Sequence, residues 1–221
     1  MKNCLILDRA HGINVGGKCA PDKSFYEWQW SQLFNSHIYD VLSSMKLGFD
    51  IYAPTLNSDK EPGLSNRVRM YNKIAKGYDN TIMISAHVNA YGEGWTTASG
   101  FSFFTSRGET KADEYATLIG NIYHQCLPDE KMRFDFGLSR GEHKRDLDKE
   151  ANFTVLFGSK IVKPNYEGIL IEHGFMNNKQ DLAKLKTDVF NRKLEDALIT
   201  SILKIFNGLG DVNLLDEIII K

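Results

Sequence analysis

Two hydrophobic rhythms alternate along this 221-residue chain. Short apolar runs at 4–8 (CLILD), 81–86 (TIMISA), 100–104 (GFSFF), 153–157 (FTVLF) and 169–172 (ILIE) predict buried strands, and FDIYAP adds another that Pro54 stops. Between them, apolar residues recur at three- and four-residue steps. Trp30, Phe34, Ile38, Val41 and Met45 mark an amphipathic helix over about 24–46, 64–76 reads as a second, and 109–126 as a third that buries Tyr115, Leu118, Ile119 and Ile122. The stretch 127–150 is charged and irregular, and helical sequence fills 179–206 with Thr187 as a break and cap. Strands alternating with helices predict an α/β fold: a single domain, residues 1–207, with a twisted, mostly parallel sheet and helices on both faces. Residues 208–221 form a tail to which the sequence gives no role.

Composition narrows the function classes. A chain that is 42% hydrophobic and 25% charged is ordinary globular material, and 27 basic residues against 28 acidic ones, without a block of either sign, offer no grip for nucleic acid. The three cysteines are scattered and form no Cys-x-x-Cys pair, which argues against a disulfide framework and a cysteine-rich metal site. No apolar run is long enough to cross a bilayer. The first strand begins at residue 4, leaving no room for a secretory signal, so synthesis in the cytoplasm and export by another route are expected.

Chemistry gathers at strand ends. Of the six histidines, His11 and His87 directly follow buried strands, whereas His37 and His124 lie in helices, His143 in the charged stretch, and His173 points away from Glu172 if the pleat persists. Glu172 closes the most hydrophobic strand. A solvated strand-end carboxylate is the simplest account of it alone, but parallel packing would bring it to His11 and His87 at the carboxyl edge, where ligand crevices form. Two imidazoles and a carboxylate suit zinc, which takes three protein ligands in a catalytic site. For the third ligand two candidates stand. Glu27 lies in the first turn of the helix after His11, where Ser24-x-x-Glu27 also reads as a capping box; Asp22 is the alternative, although Pro21 beside it suggests a turn.

These residues carry a family resemblance. LILDRAHG resembles the Asp-Pro-Gly-His-Gly opening of the zinc-dependent N-acetylmuramoyl-L-alanine amidases of the amidase_3 type, and Glu27 falls where that family has its glutamate ligand. ISAHVNA is similar to its Ser-x-His-x-Asn motif, ILIEHGFMNN to its Val-Glu-x-Gly-Phe-x-Ser-Asn motif, LSNRVRMYNKIA to the arginine-bearing helix before the second histidine, and SRGEHK to an Arg-Gly element of the substrate groove. Arg9 and Ala10 replace the family's Pro-Gly, and Asn177 stands where serine is commoner.

The resemblance implies a phosphorylase/hydrolase-like amidase fold and one zinc ion per chain on His11, Glu27 and His87. It implies Glu172 as catalyst, and Asn89 and Arg140 as substrate-binding residues. The substrate would be peptidoglycan, cut between N-acetylmuramic acid and L-alanine, by an enzyme of phage-endolysin type that acts on the wall after release or non-classical export. A zinc peptidase cutting within the stem peptide and a non-catalytic wall-binding relative are the rival readings.

Overall fold

The computed structural model describes residues 1–134 and 148–208. Six strands make one sheet among the described residues: β1 (Asn3–Arg9), β2 (Asp50–Tyr52), β3 (Asn80–Asn89), β4 (Phe101–Thr105), β5 (Lys149–Glu150) and β6 (Glu167–Phe175), in the order β2-β1-β3-β6-β4-β5. The helices are α1 (Glu27–Ser43), α2 (Leu64–Ala75), α3 (Lys111–Cys126), α4 (Thr154–Phe157), α5 (Lys179–Leu185) and α6 (Asp188–Gly208).

Strand pleating sends alternate residues into two cores. Leu5, Leu7, Ile82, Ile84, Ile169 and Ile171 meet Phe34, Ile38, Ile119, Leu198 and Ile202, so α1, α3 and α6 cover one face. Ile6, Met83 and Leu170 meet Tyr71, Val155 and Leu156, so α2 and α4 cover the other. Burial on both faces accounts for the unbroken apolar runs of the central strands. β1, β2, β3 and β6 are mutually parallel, as expected, and their carboxyl ends share one edge.

Several expectations need correction. β4 runs antiparallel to β6, and β5 pairs parallel with β4 in a stretch read as irregular. FTVLF is not a strand: Thr154–Phe157 form a helical turn with Val155 and Leu156 buried and Phe153 and Phe157 exposed, a pattern no strand pleat produces. Helix α1 begins at Glu27 rather than near 24. Thr187 does separate α5 from α6, its hydroxyl accepting from Phe190 N–H. Arg140, His143 and the tail from 209 onward lie outside the described residues.

Candidate active site

The carboxyl ends of β1, β3 and β6 deliver His11, His87 and Glu172 to one place. His11 sits two residues beyond β1 in the left-handed region, with φ of 49°, a conformation that costs a non-glycine residue energy and turns the chain sharply. Ser31 of α1 ties the strand ends together: its hydroxyl accepts from Ala10 N–H at 2.9 Å and donates to the Ala86 carbonyl at 2.6 Å.

Glu27 arrives from α1, on the opposite side of the sheet edge from α2. Its Oε1 lies 2.9 Å from His87 Nδ1 and accepts from Val88 N–H at 3.1 Å, while Oε2 lies 3.4 Å from His11 Nε2. The imidazoles stand edge to face with centroids 5.2 Å apart, and one donor atom from each of His11, Glu27 and His87 falls within 4.8 Å of the others. The three residues thus form a possible metal site. Burial alone would raise Glu27, but His87, His11 and the Val88 amide hold its carboxyl below the usual range.

Glu172 is the register partner of His87 across the β3–β6 pair, one step before the ladder shifts between His87 and Asn89. It projects with His87 onto the α2 face, and its Oε2 is buried without a hydrogen-bond partner among the described residues. Burial first, then repulsion from Glu27, pushes its carboxyl well above the ordinary range. Glu172 is half-buried, and no structural hydrogen bond among the described residues accounts for its inward-facing Oε2 beside the His-Glu-His cluster. Asn89 lies on the same strand end, where its Oδ1 accepts from Ala90 N–H at 2.7 Å.

The alternative candidates are placed differently. Ser24 does not cap α1: its N–H and hydroxyl both donate to Asp22 Oδ1, at 3.0 and 2.6 Å, and the N-cap position belongs to Tyr26, with no side-chain cap. Asp22 is therefore a turn residue, outside the triad. His37 faces Glu195 at the surface and His124 is exposed. His173 does point away from Glu172, into the first core, with Nδ1 3.2 Å from the His87 carbonyl and Nε2 3.0 Å from the Tyr123 hydroxyl. Since a carbonyl only accepts, Nδ1 carries the proton, and burial holds the ring neutral with its pKa down to about 3.

Sequence reading missed the supports of His11. Asp8 accepts from both Arg67 NH1 contacts, at 3.1 and 3.2 Å, from Ser85 Oγ at 2.5 Å and from Tyr71 OH, while Arg67 NH2 and Arg9 Nε both donate to the His11 carbonyl, at 3.4 and 3.1 Å. A carboxylate inside the apolar run CLILD was the available signal for Asp8, because a buried charge needs partners. Glu61, 3.7 Å from His11 Nδ1, lies in a charged loop with no pattern to reveal it.

A mostly parallel α/β sheet thus carries, at its carboxyl edge, a His-Glu-His cluster able to hold a metal and, beside it, a carboxyl group with an unpartnered oxygen. The chain belongs to the Amidase_3 family, the N-acetylmuramoyl-L-alanine amidases, whose family model matches residues 5–204, and it is therefore an enzyme of peptidoglycan hydrolysis. A comparison with curated proteins gave no match. Among solved structures, the N-acetylmuramoyl-L-alanine amidase of Clostridium difficile 630 is similar at 21% identity and a TM-score of 0.74, over 93% of this chain and 97% of that one. The amidase AmiC2 of Nostoc punctiforme gives 19% and 0.71, over 94% and 98%. The catalytic domain of the CD27L endolysin targeting Clostridia difficile gives 19% and 0.61, over 92% and 97%. At these identities the likeness shows the fold. No described helix is long and apolar enough to cross a membrane.

Proposed function

We propose that His11, Glu27 and His87 hold one zinc ion, and that Glu172 is the acid–base group of an amidase that separates L-alanine from the lactyl group of N-acetylmuramic acid. The observation that carries this reading is the pairing of a convergent His-Glu-His donor set with the unpartnered Oε2 of Glu172, the direct register partner of His87 across the β3–β6 pair. The donor set fits zinc, which takes imidazole and carboxylate ligands and leaves a position open in catalytic sites. Bound there, zinc supplies Lewis acidity toward the amide carbonyl and brings the pKa of a water toward about 7.

The remaining work falls to the chain's own residues. Val88 N–H fixes Glu27 so that its carboxylate faces both imidazoles. Glu172 accepts the attacking water's proton at Oε2 and returns it to the departing amine nitrogen. Once Glu27 is neutralised by a cation, its repulsion on Glu172 fades, and burial alone leaves a carboxylate more basic than one in water. Asn89 and Arg140 are both assigned to substrate binding by resemblance. Synthesis in the cytoplasm and action on the wall after release belong to the same proposal; lysis of expressing cells only upon membrane permeabilisation is its test.

Digestion of purified sacculi, followed by mass spectrometry, tests the bond choice. Intact stem peptides with new L-alanine amino termini and uncut glycan strands are expected; new reducing sugars, or cuts confined to the peptide, would overturn it.

A further inference from the structure

His11 presents Nε2 to Glu27, so its other ring nitrogen, Nδ1, faces away from the triad. What it faces is Glu61. The carboxylate stands with Oε2 3.7 Å from His11 Nδ1 and Oε1 3.4 Å from Arg67 NH2, bridging the imidazole to a guanidinium that is itself fixed on Asp8. Glu61 is largely buried there, its side chain 9% exposed.

The placement is built into the backbone. Asn14 clamps the main chain of Glu61 from both sides: its Oδ1 accepts from Glu61 N–H at 2.7 Å, and its Nδ2 donates to the Glu61 carbonyl at 3.2 Å. Ile13 N–H donates to the Asp59 carbonyl at 2.8 Å. Gly12 lets the two loops touch, since a Cβ there would lie 2.3 Å from Glu61 N and 2.8 Å from Asp59 O. The loop that carries His11 and the loop that carries Glu61 are thereby one unit, at whose centre the carboxylate meets the ring.

We propose that Glu61 is a positioning residue for the metal centre, holding His11 in the tautomer with its proton on Nδ1 so that Nε2 stays free to bind metal. The inference rests on the reading of His11, Glu27 and His87 as zinc ligands. Its physical reason is general: a ligating imidazole donates its second N–H to a partner that orients the ring and raises its basicity, and loss of that partner costs roughly ten- to a hundredfold in metal affinity. Glu61 cannot serve as a fourth ligand in this arrangement, because it approaches the nitrogen that points out of the triad, and it lies outside the group of converging donors.

The experiment measures zinc dissociation constants by competition with a chelator for the wild-type chain, Glu61→Gln and Glu61→Asp, with melting of the chelated proteins as a check on folding. Glu61→Gln keeps the side chain's size and its capacity to accept from Nδ1–H but removes the charge that polarises the ring and pairs with Arg67. Expected are a loss of about tenfold or more in zinc affinity for Glu61→Gln and a smaller loss for Glu61→Asp, which keeps the charge. Affinity for Glu61→Gln within less than tenfold of wild type, or a loss in Glu61→Asp as large as in Glu61→Gln, overturns the inference. If the wild-type chain itself binds no zinc, the metal reading falls and takes this one with it; wild-type binding with an unaffected Glu61→Gln removes only the role of Glu61.

Discussion

His87 and Glu172 face each other across neighbouring parallel strands, in register, immediately before the ladder shifts. The pair sets a metal-binding candidate beside a carboxyl group whose buried Oε2 no described residue satisfies. The two side chains should therefore respond differently to substitution. Glu172→Gln keeps shape and hydrogen-bonding capacity, so fold and zinc content should survive, while turnover falls toward the upper end of the hundred- to ten-thousandfold range for acid–base groups. His87→Ala should lose metal and turnover together. Metal analysis paired with turnover separates the roles, and poor zinc binding in Glu172→Gln would make that carboxylate a ligand.

Glu27 and Ser24 give a second contrast. Since Ser24 bonds Asp22 and not the amides of α1, Ser24→Ala should stay within about 0.5 kcal/mol of wild-type stability and retain its zinc. Glu27→Ala should lose the metal. Retained zinc in Glu27→Ala, determined after dialysis, would remove it from the ligand set.

Arg67 and Asp8 form a buried ion pair, both side chains at most 1% exposed. Arg67→Met strands Asp8 in the interior, with Ser85 and Tyr71 as its remaining side-chain partners among the described residues. A loss of about 3–5 kcal/mol is expected from denaturant unfolding, the scale for breaking such a pair on one side. A cost below about 1 kcal/mol would show that the pair does not hold the two strand-end layers as its burial implies.

The histidine beneath the site makes stability pH-dependent. His173 is neutral in the folded chain with its pKa down to about 3, whereas an unfolded histidine titrates near 6.5. The unfolded chain therefore takes up a proton first, so the contribution of His173 is complete above about pH 6.5 and is lost as pH falls toward 3. In chelated protein, urea unfolding between pH 6 and 4 should show a slope shallower by about 1.4 kcal/mol per pH unit for His173→Phe than for wild type. Parallel slopes would show that His173 is protonated in the fold.

Asn177 gives the last test. Its Nδ2 donates to the carbonyls of Tyr91 and Gly94, both at 2.9 Å, and its Oδ1 accepts from Tyr91 N–H at 3.2 Å, so it staples the loop that follows β3. Asn177→Ser, which installs the residue commoner in the family motif, is too short to keep all three bonds. Stability should fall by about 1–3 kcal/mol, at roughly 0.5–1.5 kcal/mol per hydrogen bond, and amide exchange should quicken across 91–96. Unchanged exchange there would show that the loop is held by other contacts.

The parts of the fold that the sequence made readable are those with burial on both faces. CLILD, TIMISA and ILIE became β1, β3 and β6 because a central parallel strand has no solvent side to interrupt it. Direction is another matter: nothing in the side chains of GFSFF distinguishes a parallel from an antiparallel neighbour of β6. A short apolar run such as FTVLF fits a strand and a buried helical turn equally well until its packing partners are known. At the site, His11, His87 and Glu172 were readable from their positions after strands. The role of Glu27 was ambiguous because a capping box and a ligand look alike in one dimension. Glu61 had no signature, since its function comes from a loop contact between residues 50 positions apart.

Glu27 is carried by a helix of one layer, yet its carboxylate meets a histidine that projects toward the other. An ion bound there would act as a rivet through the rim of the sheet. Chelation should then do more than silence the enzyme: by releasing the first turn of α1, it should loosen the seam between the layers, so that protease nicking near residues 18–27 reports metal loss before any global melting.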